Sequence, residues 1–137
     1  MSKSENKTVL VTGGANRIGR AISLDMAKAG WQVAVHYNNS YSDANKVVKT
    51  ISEMGIDAFA IQANLENEKV VSNLIPKINK RLSPVTTIIN NASVFEKDSI
   101  ESVTLSSWDC HLNINLRAPF LLIQSLVKTL PKNKKAN

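Results

Sequence analysis

The chain has a single cysteine, Cys110, and it lacks both long apolar runs and an apolar leader. One thiol cannot form an internal disulfide, which agrees with a reducing compartment. No stretch approaches the ~18 apolar residues of a membrane helix. The N-terminus is polar until it enters a short apolar strand, without the apolar core and small-residue cleavage site of a signal peptide. We therefore expect a cytoplasmic protein with no membrane partner and no metal site.

Positive charge is in excess, with a formal net charge of +6. Much of it lies near the C-terminus, at Lys128, Lys132, Lys134 and Lys135. A basic tail can bind nucleic acid, but this one has no interleaved aromatic or arginine residues. Lysines that complement the dipole of a preceding helix are the simpler explanation. We expect no nucleic-acid partner.

Short apolar strands alternate with amphipathic helices along the 137 residues, of which 43% are hydrophobic. Residues 8–12 (TVLVT) are typical of a strand buried on both faces. Strands separated by helices pair in parallel through right-handed crossovers. The pattern predicts one domain, residues 1–137, with an α/β fold: a Rossmann-type doubly wound parallel sheet, truncated after the fourth strand and its long helix. The predicted strands are 8–12, 32–37, 57–62 and 85–90, and the predicted helices are 17–29, 42–54, 66–82 and 105–130.

Local features of the helices are predicted as well. Ile18, Ile22 and Met26 recur at helical spacing and should share one face of the first helix. Ser42 should cap the second helix. Proline has no N–H to donate, so Pro76 should kink or split the third helix and Pro119 should interrupt the fourth.

The first loop is rich in glycine and joins the first strand to the first helix. Glycines at Gly13, Gly14 and Gly19 permit a tight turn and close approach of the backbone to a phosphate. The helix that follows presents free N–H groups to an anion, and Arg17 adds a forked, charged donor. A strand before the turn and an amphipathic helix after it are the context of a dinucleotide site. A purely structural turn is the alternative.

The second loop bears on which dinucleotide binds. An NAD site commonly has an acid ~20 residues after the glycines, where it binds the ribose 2′-hydroxyl. Here the second strand ends in HYNNS, without an acid. Side chains of His36, Asn39 and Ser40 can donate hydrogen bonds to a 2′-phosphate, with Arg17 nearby. The cofactor is therefore predicted to be NADP(H), although His36 by itself is also compatible with an ordinary strand-end histidine.

Two asparagine-containing segments complete the pattern. The sequence NNAS at 90–93 directly follows the fourth strand, where asparagine can pin a turn; by itself it is equally an ordinary turn. Asn115 lies inside an otherwise apolar helical stretch, and a buried asparagine must be hydrogen-bonded. By itself, Asn115 is more simply a surface residue.

Together these residues resemble the short-chain dehydrogenase/reductase family over residues 7–130. The TGxxxGxG turn of that family corresponds to residues 12–19, with Arg17 in place of the middle glycine. Its NNAG motif corresponds to residues 90–93, with Ser93 in place of the glycine, and Asn115 matches the helical Asn of its catalytic tetrad. The resemblance implies an oxidoreductase that transfers hydride between NADPH and a carbonyl or pteridine-type small molecule, with Asn115 as a catalytic residue.

The departures from the family pattern resemble its pteridine reductase branch. In that branch the positions of Arg17, His36 and Ser40 serve NADPH. Asn39 stands where the branch has arginine, and Asn64 stands where the family has an aspartate that hydrogen-bonds the adenine amino group. An asparagine can still accept that bond through its side-chain oxygen. The implied cofactor-binding residues are Gly13, Asn16, Arg17, Ile18, Gly19, His36, Asn39, Ser40, Asn64, Leu65, Asn91, Ala92 and Ser93.

The family's proton-transfer pair, Tyr-x-x-x-Lys, is not in this chain. Its two tyrosines, Tyr37 and Tyr41, are followed four positions later by Tyr41 and Asn45. The resemblance therefore covers an N-terminal half, which we expect to be inactive alone. Three interpretations remain open: a chain that works with a catalytic half, a non-catalytic NADP(H)-binding remnant, or a fragment that folds only in an assembly.

A sheet that stops after its fourth strand has two exposed surfaces. Strand 85–90 would present an open edge, and helix 105–130 would expose Leu121, Leu122 and Leu126. The family uses this helix at a subunit interface. We therefore expect a homo-oligomer formed through this helix, or pairing with a C-terminal half.

The candidates for lining the substrate pocket are Ser93, Phe95 and Asn115. Phe95 could stack on a planar ring, but it is equally a candidate core residue.

Overall fold

The computed structural model describes residues 6–137; the first five residues, on which part of the expectation about a leader rests, lie outside it. Within residues 6–137 no helix is long and apolar enough to cross a membrane. The strands are β1 (Thr8–Val11), β2 (Gln32–Tyr37), β3 (Ala58–Gln62) and β4 (Val85–Ile89). The helices are α1 (Arg17–Lys28), α2 (Tyr41–Glu53), α3 (Glu68–Ser72), α4 (Leu74–Asn79), α5 (Leu105–Leu112) and α6 (Ala118–Thr129), with a π-helical turn at Asn113–Arg117 between the last two.

All four strands are parallel, in the order β3-β2-β1-β4. Leu10 of β1 pairs with Ala34 on one side and with Ile88 on the other. The whole of β1 is buried because helices cover both faces of the sheet. The predicted Rossmann-type α/β fold is therefore confirmed. The order of the chain reverses between β1 and β4, and such a reversal opens a crevice at the C-terminal ends of the strands.

The side chains of β1 alternate between two hydrophobic cores, as the period of a strand requires. Val9 and Val11 belong to the core that includes Val47 and Ile51 of α2. Leu10 belongs to the opposite core, which includes residues of α4 and α6. The sheet is thus held between two helical layers, and the loops at its edge are anchored from both faces.

The fully buried residues of helix α1 are small, and part of the predicted apolar face packs beside them. Gly19, Ser23 and Ala27 are its buried residues and recur every four positions. Ile22 and Met26, from the predicted apolar face, are partly buried and pack against the core that includes Val47 and Ile51. Ile18, which shares that predicted face, lies in the first turn of the helix and is 71% exposed.

Helix α2 begins at Tyr41, one residue earlier than the predicted range of 42–54, and its cap lies two residues earlier. Ser40, and not Ser42, is its N-cap residue, and the side chain of Ser40 makes no capping bond to the helix. The helix buries Val47 and Ile51, which lie one turn apart on the same face. It ends before Gly55, which has a φ of +77° and so suits glycine.

The predicted third helix is divided into α3 and α4, which confirms the expected effect of Pro76. The break itself falls at Asn73, which ends α3 and precedes α4. Because Pro76 has no N–H, the carbonyl oxygen of Ser72 lacks its usual partner. The hydroxyl of Ser125 on α6 donates to that oxygen over 3.2 Å. The carbonyl that lacks a partner because of the proline therefore accepts a hydrogen bond that joins α3 to α6.

Regular α-helix is interrupted just before Pro119, as predicted, but the interruption is a π turn and not a break in the helical path. Helix α5, the π turn and α6 follow one another without a break. In the π turn the N–H of Ala118 donates to the carbonyl of Asn113, five residues earlier. The wider turn accommodates the proline ring, which in a regular α-helix would clash with the carbonyl of Asn115.

The exposed face of this last helix also differs from the prediction. Leu122 and Leu126 are buried, and Leu121 is half-buried, because α6 packs against α3 and α4. A different set of large apolar residues is exposed at helical spacing, here called the α5–α6 stripe: Leu105, Trp108, Leu112, Leu116, Phe120, Ile123 and Val127.

Strand β4 lies at one edge of the sheet, as predicted, but part of that edge is paired. The N–H of Asn137 donates to the carbonyl of Thr86 over 2.9 Å, and the N–H of Ile88 donates to the carbonyl of Asn137 over 3.1 Å. These two bonds lie on either side of Thr87, which is the pattern of a parallel ladder. Asn137 is therefore in register for a further parallel strand beside β4.

Candidate functional site

A cleft of about 490 Å³ lies at the C-terminal ends of the strands, where the chain order reverses. Loops after all four strands line it, together with Ile114 of the π turn. Every predicted cofactor residue lines this cleft except Asn39 and Ser40. Asn38 and Val94 also line it and were not predicted. Asn38 belongs to the same HYNNS segment as the predicted residues His36, Asn39 and Ser40. That segment was therefore the signal that could have identified it.

The glycine turn brings the first turn of α1 to the wall of the cleft. Gly13 has a φ of +61°, and a Cβ there would lie 3.1 Å from Nδ2 of Asn91. A Cβ on Gly19 would collide with the carbonyl oxygen of Gly13. Asn16, the N-cap residue of α1, makes no side-chain hydrogen bond to the helix. The first N–H groups of α1 therefore have no capping acceptor, and an anion fits there.

Arg17 is the first residue of α1 and has an unusual backbone conformation. Its φ of +48° lies in the left-handed region, where a side chain costs about 1–2 kcal/mol relative to the right-handed helix. The side chain is exposed, and within residues 6–137 its guanidinium has no hydrogen bond or ion pair. A strained residue with an unpaired charge at the mouth of a cleft suggests that a ligand uses the charge.

His36 is buried and joins two loops of the cleft. Its Nδ1 accepts the N–H of Gly13 at 3.0 Å, so its Nε2 carries the proton and donates to the carbonyl of Ala63 at 2.9 Å. Burial lowers the pKa of His36, and the bond to Ala63 opposes that shift. Both ring nitrogens are thus occupied and the ring is neutral. The expectation that His36 donates to a 2′-phosphate was wrong, since His36 instead positions the backbone around the glycine turn.

Thr12 and Asn91 tie the loop after β4 to the glycine turn. The hydroxyl oxygen of Thr12 accepts the N–H groups of Asn91 and Ala92, each at 3.0 Å. The side-chain nitrogen of Asn91 donates to the carbonyls of Thr12 (3.0 Å) and Gly13 (3.2 Å). Asn91 therefore pins the turn, as the asparagine pattern predicted. Thr12 was not among the predicted site residues, although it is the first residue of the recognised turn.

The end of β2 is linked to the glycine turn through Asn16. With its amide oriented to satisfy its neighbours, Nδ2 of Asn16 donates to Oδ2 of Asp43 at 3.1 Å, and Oδ1 accepts from the hydroxyl of Ser40 at 3.1 Å. Asn39 contributes its carbonyl, which accepts the N–H of Tyr41 at 3.0 Å. Of the predicted phosphate donors at this end, Ser40 is therefore linked through Asn16 to Asp43, which was not among the predicted site residues.

The loop after β3 places Asn64 and Leu65 on the wall of the cleft. Oδ1 of Asn64 accepts the N–H of Glu66 at 3.0 Å, which closes a local turn. The guanidinium of Arg117 donates to the carbonyl of Glu66 at 2.7 Å and so joins this loop to the last helix. One lone pair of the Asn64 oxygen is thus committed within its own loop, which weakens it as an acceptor for a ligand.

Asn115 does not line the cleft but holds the loop that does. Its Oδ1 accepts the N–H of Val94, and its Nδ2 donates to the carbonyl of the same residue, both at 2.9 Å. His111, one helical turn earlier, accepts the N–H of Glu96 at 3.0 Å. Phe95, between these two attachments, is 86% exposed and therefore not a core residue. Asn115 acts on the loop through its hydrogen bonds, and Ser93 alone of the three substrate candidates lines the cleft.

The two tyrosines lie together at the β2–α2 junction. The ring centroids of Tyr37 and Tyr41 are 5.9 Å apart. Neither ring lines the cleft.

Comparison with known proteins identifies a family. The family described as short chain dehydrogenase matches residues 7–137. Among curated proteins, the chain is 33% identical over 129 residues to the 3-oxoacyl-[acyl-carrier-protein] reductase FabG of Staphylococcus epidermidis, covering 94% of this chain and 53% of that protein.

Solved structures show the same relationship. FolM alternative dihydrofolate reductase 1 from Brucella suis, in complex with NADP, superposes with a TM-score of 0.90 at 36% identity, covering 94% of this chain and 53% of that one. A short chain dehydrogenase from Burkholderia cenocepacia, in complex with NADP, has a TM-score of 0.86 at 34% identity, covering 89% and 50%. The chain thus spans about half the length of the relatives it matches.

Proposed function

The chain belongs to the short-chain dehydrogenase family, and from that premise we propose that residues 1–137 are the NADP(H)-binding domain of an NADPH-dependent oxidoreductase. The observation that carries the proposal is the uncapped N-terminus of α1 at the wall of the cleft, with the unpaired charge of Arg17 beside it. Both FolM from Brucella suis and the Burkholderia cenocepacia dehydrogenase bind NADP.

Different residues of the cleft bind different parts of the cofactor. The N–H groups at the start of α1 receive the pyrophosphate, because helix N-termini attract anions. The glycine turn before them lets the phosphate come close to the backbone. Arg17 adds a positive charge, and the end of β2, with Asn39 and Ser40, receives the 2′-phosphate. His36 binds no phosphate itself; it holds the N–H of Gly13 in place.

When bound, NADPH supplies the hydride. Asn91, Ala92 and Ser93 line the cleft on the β4 side, and Asn115 positions their loop through Val94. No Tyr-x-x-x-Lys pair lies within the 137 residues, so these residues bind and orient but do not supply the proton. We propose that this chain is inactive alone and that a catalytic half completes the reaction.

The substrate is a small molecule with a carbonyl or a pteridine-type ring. Two relatives support these two classes, since FabG is a 3-oxoacyl-[acyl-carrier-protein] reductase and FolM an alternative dihydrofolate reductase. Arg17 and Ser93, where the family has glycine, favour the pteridine class. A non-catalytic remnant that binds NADP(H) is the second candidate, favoured by the absence of the tyrosine–lysine pair from this chain.

The α5–α6 stripe is the proposed oligomer contact. Seven large apolar residues are exposed at helical spacing from α5 through the π turn to α6, and rows of exposed apolar residues often mark a contact surface. Replacing Leu116 and Phe120 with glutamate should convert an oligomer to monomer in sedimentation velocity, because the charges would be desolvated at the contact. An unchanged sedimentation coefficient would show that the α5–α6 stripe is not the oligomer contact.

Calorimetric titration of the purified chain with NADPH, and separately with NADH, tests the cofactor proposal. We expect binding of both, with NADPH preferred, and a loss of most of that preference in Arg17→Gly. Far-ultraviolet circular dichroism establishes that each protein is folded. A folded chain that binds neither nucleotide would refute the proposal.

A further inference from the structure

We propose that Asp43 is a specificity-determining residue that limits the preference of this cleft for a 2′-phosphorylated cofactor. The inference rests on the proposed function, because it concerns the same cleft. Asp43 lies in the first turn of α2, immediately after the end of β2. It does not line the cleft itself and acts through Asn16, which does.

A chain of hydrogen bonds leads from the glycine turn to Asp43. The hydroxyl of Ser40 donates to Oδ1 of Asn16, and Nδ2 of Asn16 donates to Oδ2 of Asp43, each over 3.1 Å. Asp43 is the final acceptor of this chain, and its charge strengthens the bond that it receives. The donors of Ser40 and Asn16 are therefore both directed at protein atoms.

This arrangement has a consequence for a phosphate at the end of β2. The hydroxyl of Ser40 must leave Asn16 before it can donate to the phosphate. The freed oxygen of Asn16 then needs another donor. Binding a 2′-hydroxyl costs fewer hydrogen bonds. The hydroxyl can itself donate to Oδ1 of Asn16 after Ser40 has left it.

The local charges act in the same direction. Asp43 places a negative charge near the proposed 2′-phosphate position, where Arg17 and Lys46 supply the positive charges. Nζ of Lys46 lies 3.4 Å from Oδ1 of Asp43, and both side chains are substantially exposed. Such an exposed pair only partly neutralises the carboxylate. Removing the charge of Asp43 should therefore favour a doubly charged phosphate and leave the affinity for a 2′-hydroxyl almost unchanged.

The variant Asp43→Asn isolates the charge, because an asparagine oxygen can still accept from Asn16. The variant Asp43→Ala removes both the charge and the acceptor. Asp25→Asn is a matched control: Asp25 forms an exposed i,i+3 pair with Lys28 at 3.0 Å, just as Asp43 does with Lys46, but it lies in the C-terminal half of α1. The ratio of the dissociation constants for NADH and NADPH is measured by calorimetry for each protein.

In Asp43→Asn we expect this ratio to rise by about threefold to tenfold, the size of a charge–phosphate interaction at the surface of a protein. The rise should come from tighter NADPH binding, and Asp25→Asn should keep the wild-type ratio. In Asp43→Ala the ratio should also rise, but both nucleotides should bind more weakly than to Asp43→Asn, because Asn16 loses its anchor. A ratio in Asp43→Asn that is unchanged or lower would overturn the inference while leaving the proposed function intact. If the wild-type chain binds neither nucleotide, the proposed function fails, and this inference fails with it.

Discussion

Replacing His36 with phenylalanine should destabilise the fold by removing two hydrogen bonds at once. The N–H of Gly13 and the carbonyl of Ala63 would both lose their partner, while the volume of the side chain is nearly kept. Ala63 is fully buried, so its carbonyl should carry a cost of roughly 1–3 kcal/mol. The hydrogen bond from the N–H of Gly13 is only partly buried, so its loss should cost about 1 kcal/mol. The free energy of unfolding should fall by about 2–4 kcal/mol at pH 7.5.

The same variant should change how stability depends on pH. Burial lowers the pKa of His36 in the folded chain, so the unfolded chain binds a proton more readily. The stability from a neutral His36 is complete above the ordinary histidine pKa and is lost as the pH falls toward the lowered value. Below ~6.5 the wild type should lose at most about 1.4 kcal/mol per pH unit from this group. Phenylalanine cannot titrate, so the gap between the two proteins should narrow by about 1 kcal/mol at pH 5.5.

Urea unfolding followed by circular dichroism, at pH 7.5 and 5.5, measures both effects. The chain has two histidines, and a His111→Gln background leaves His36 as the only one. Carboxylates contribute the same pH dependence to both proteins and cancel in the comparison. A gap that stays constant between the two pH values, or a phenylalanine variant as stable as the parent at pH 7.5, would refute the account of His36.

Three further variants test the cleft. Arg17→Gly should raise the free energy of unfolding by about 1 kcal/mol, because it relieves a positive φ; lower stability in urea unfolding would contradict this. Gly19→Ala should lower the free energy of unfolding by about 2 kcal/mol or more, because the added methyl group would collide with the backbone of Gly13. The control is Gly30→Ala, where the methyl group meets no atom within 4 Å. That variant should cost only about 1 kcal/mol, because of the φ of +85° at Gly30. Asn115→Ala should cost about 1 kcal/mol and speed amide hydrogen exchange at Val94, because both bonds to that residue are lost; unchanged exchange would remove its positioning role.

Much of the fold follows from patterns that lie within short stretches of sequence. The strand at residues 8–12 is a run of apolar and β-branched residues, and such a run indicates burial on both faces wherever it occurs. Pro76 lacks an N–H in any context, so a break in that helix was predictable. An interruption at Pro119 was predictable too, but its form was not. A proline can be accommodated by a break or by a π turn, and the choice depends on what the two halves of the helix pack against.

The limits of the sequence are clearest where distant residues meet. The glycine turn and the asparagines after β4 were recognisable as motifs, but the bonds from Asn91 to the carbonyls of Thr12 and Gly13 join residues almost 80 positions apart. His36 lies at the cleft, as predicted, but it does not donate to a phosphate. Its ring is hydrogen-bonded to Gly13 and Ala63, in the loops after β1 and β3. A strand-end histidine reveals nothing of these partners until the sheet is assembled.

By itself, the sequence determined the alternation of strands and helices, the α/β class and the position of the cleft at the strand ends, because hydrophobic period and glycine placement are local properties of the chain. Tertiary structure alone decided which faces are buried and which polar groups are already satisfied. Leu122 is buried because α6 packs against α3 and α4. Ile18 is exposed at the cleft, whereas Ile22 and Met26 of the same predicted face pack against the core. Hydrogen-bond partners and burial depend on which elements meet in space, and no single stretch of sequence contains that information.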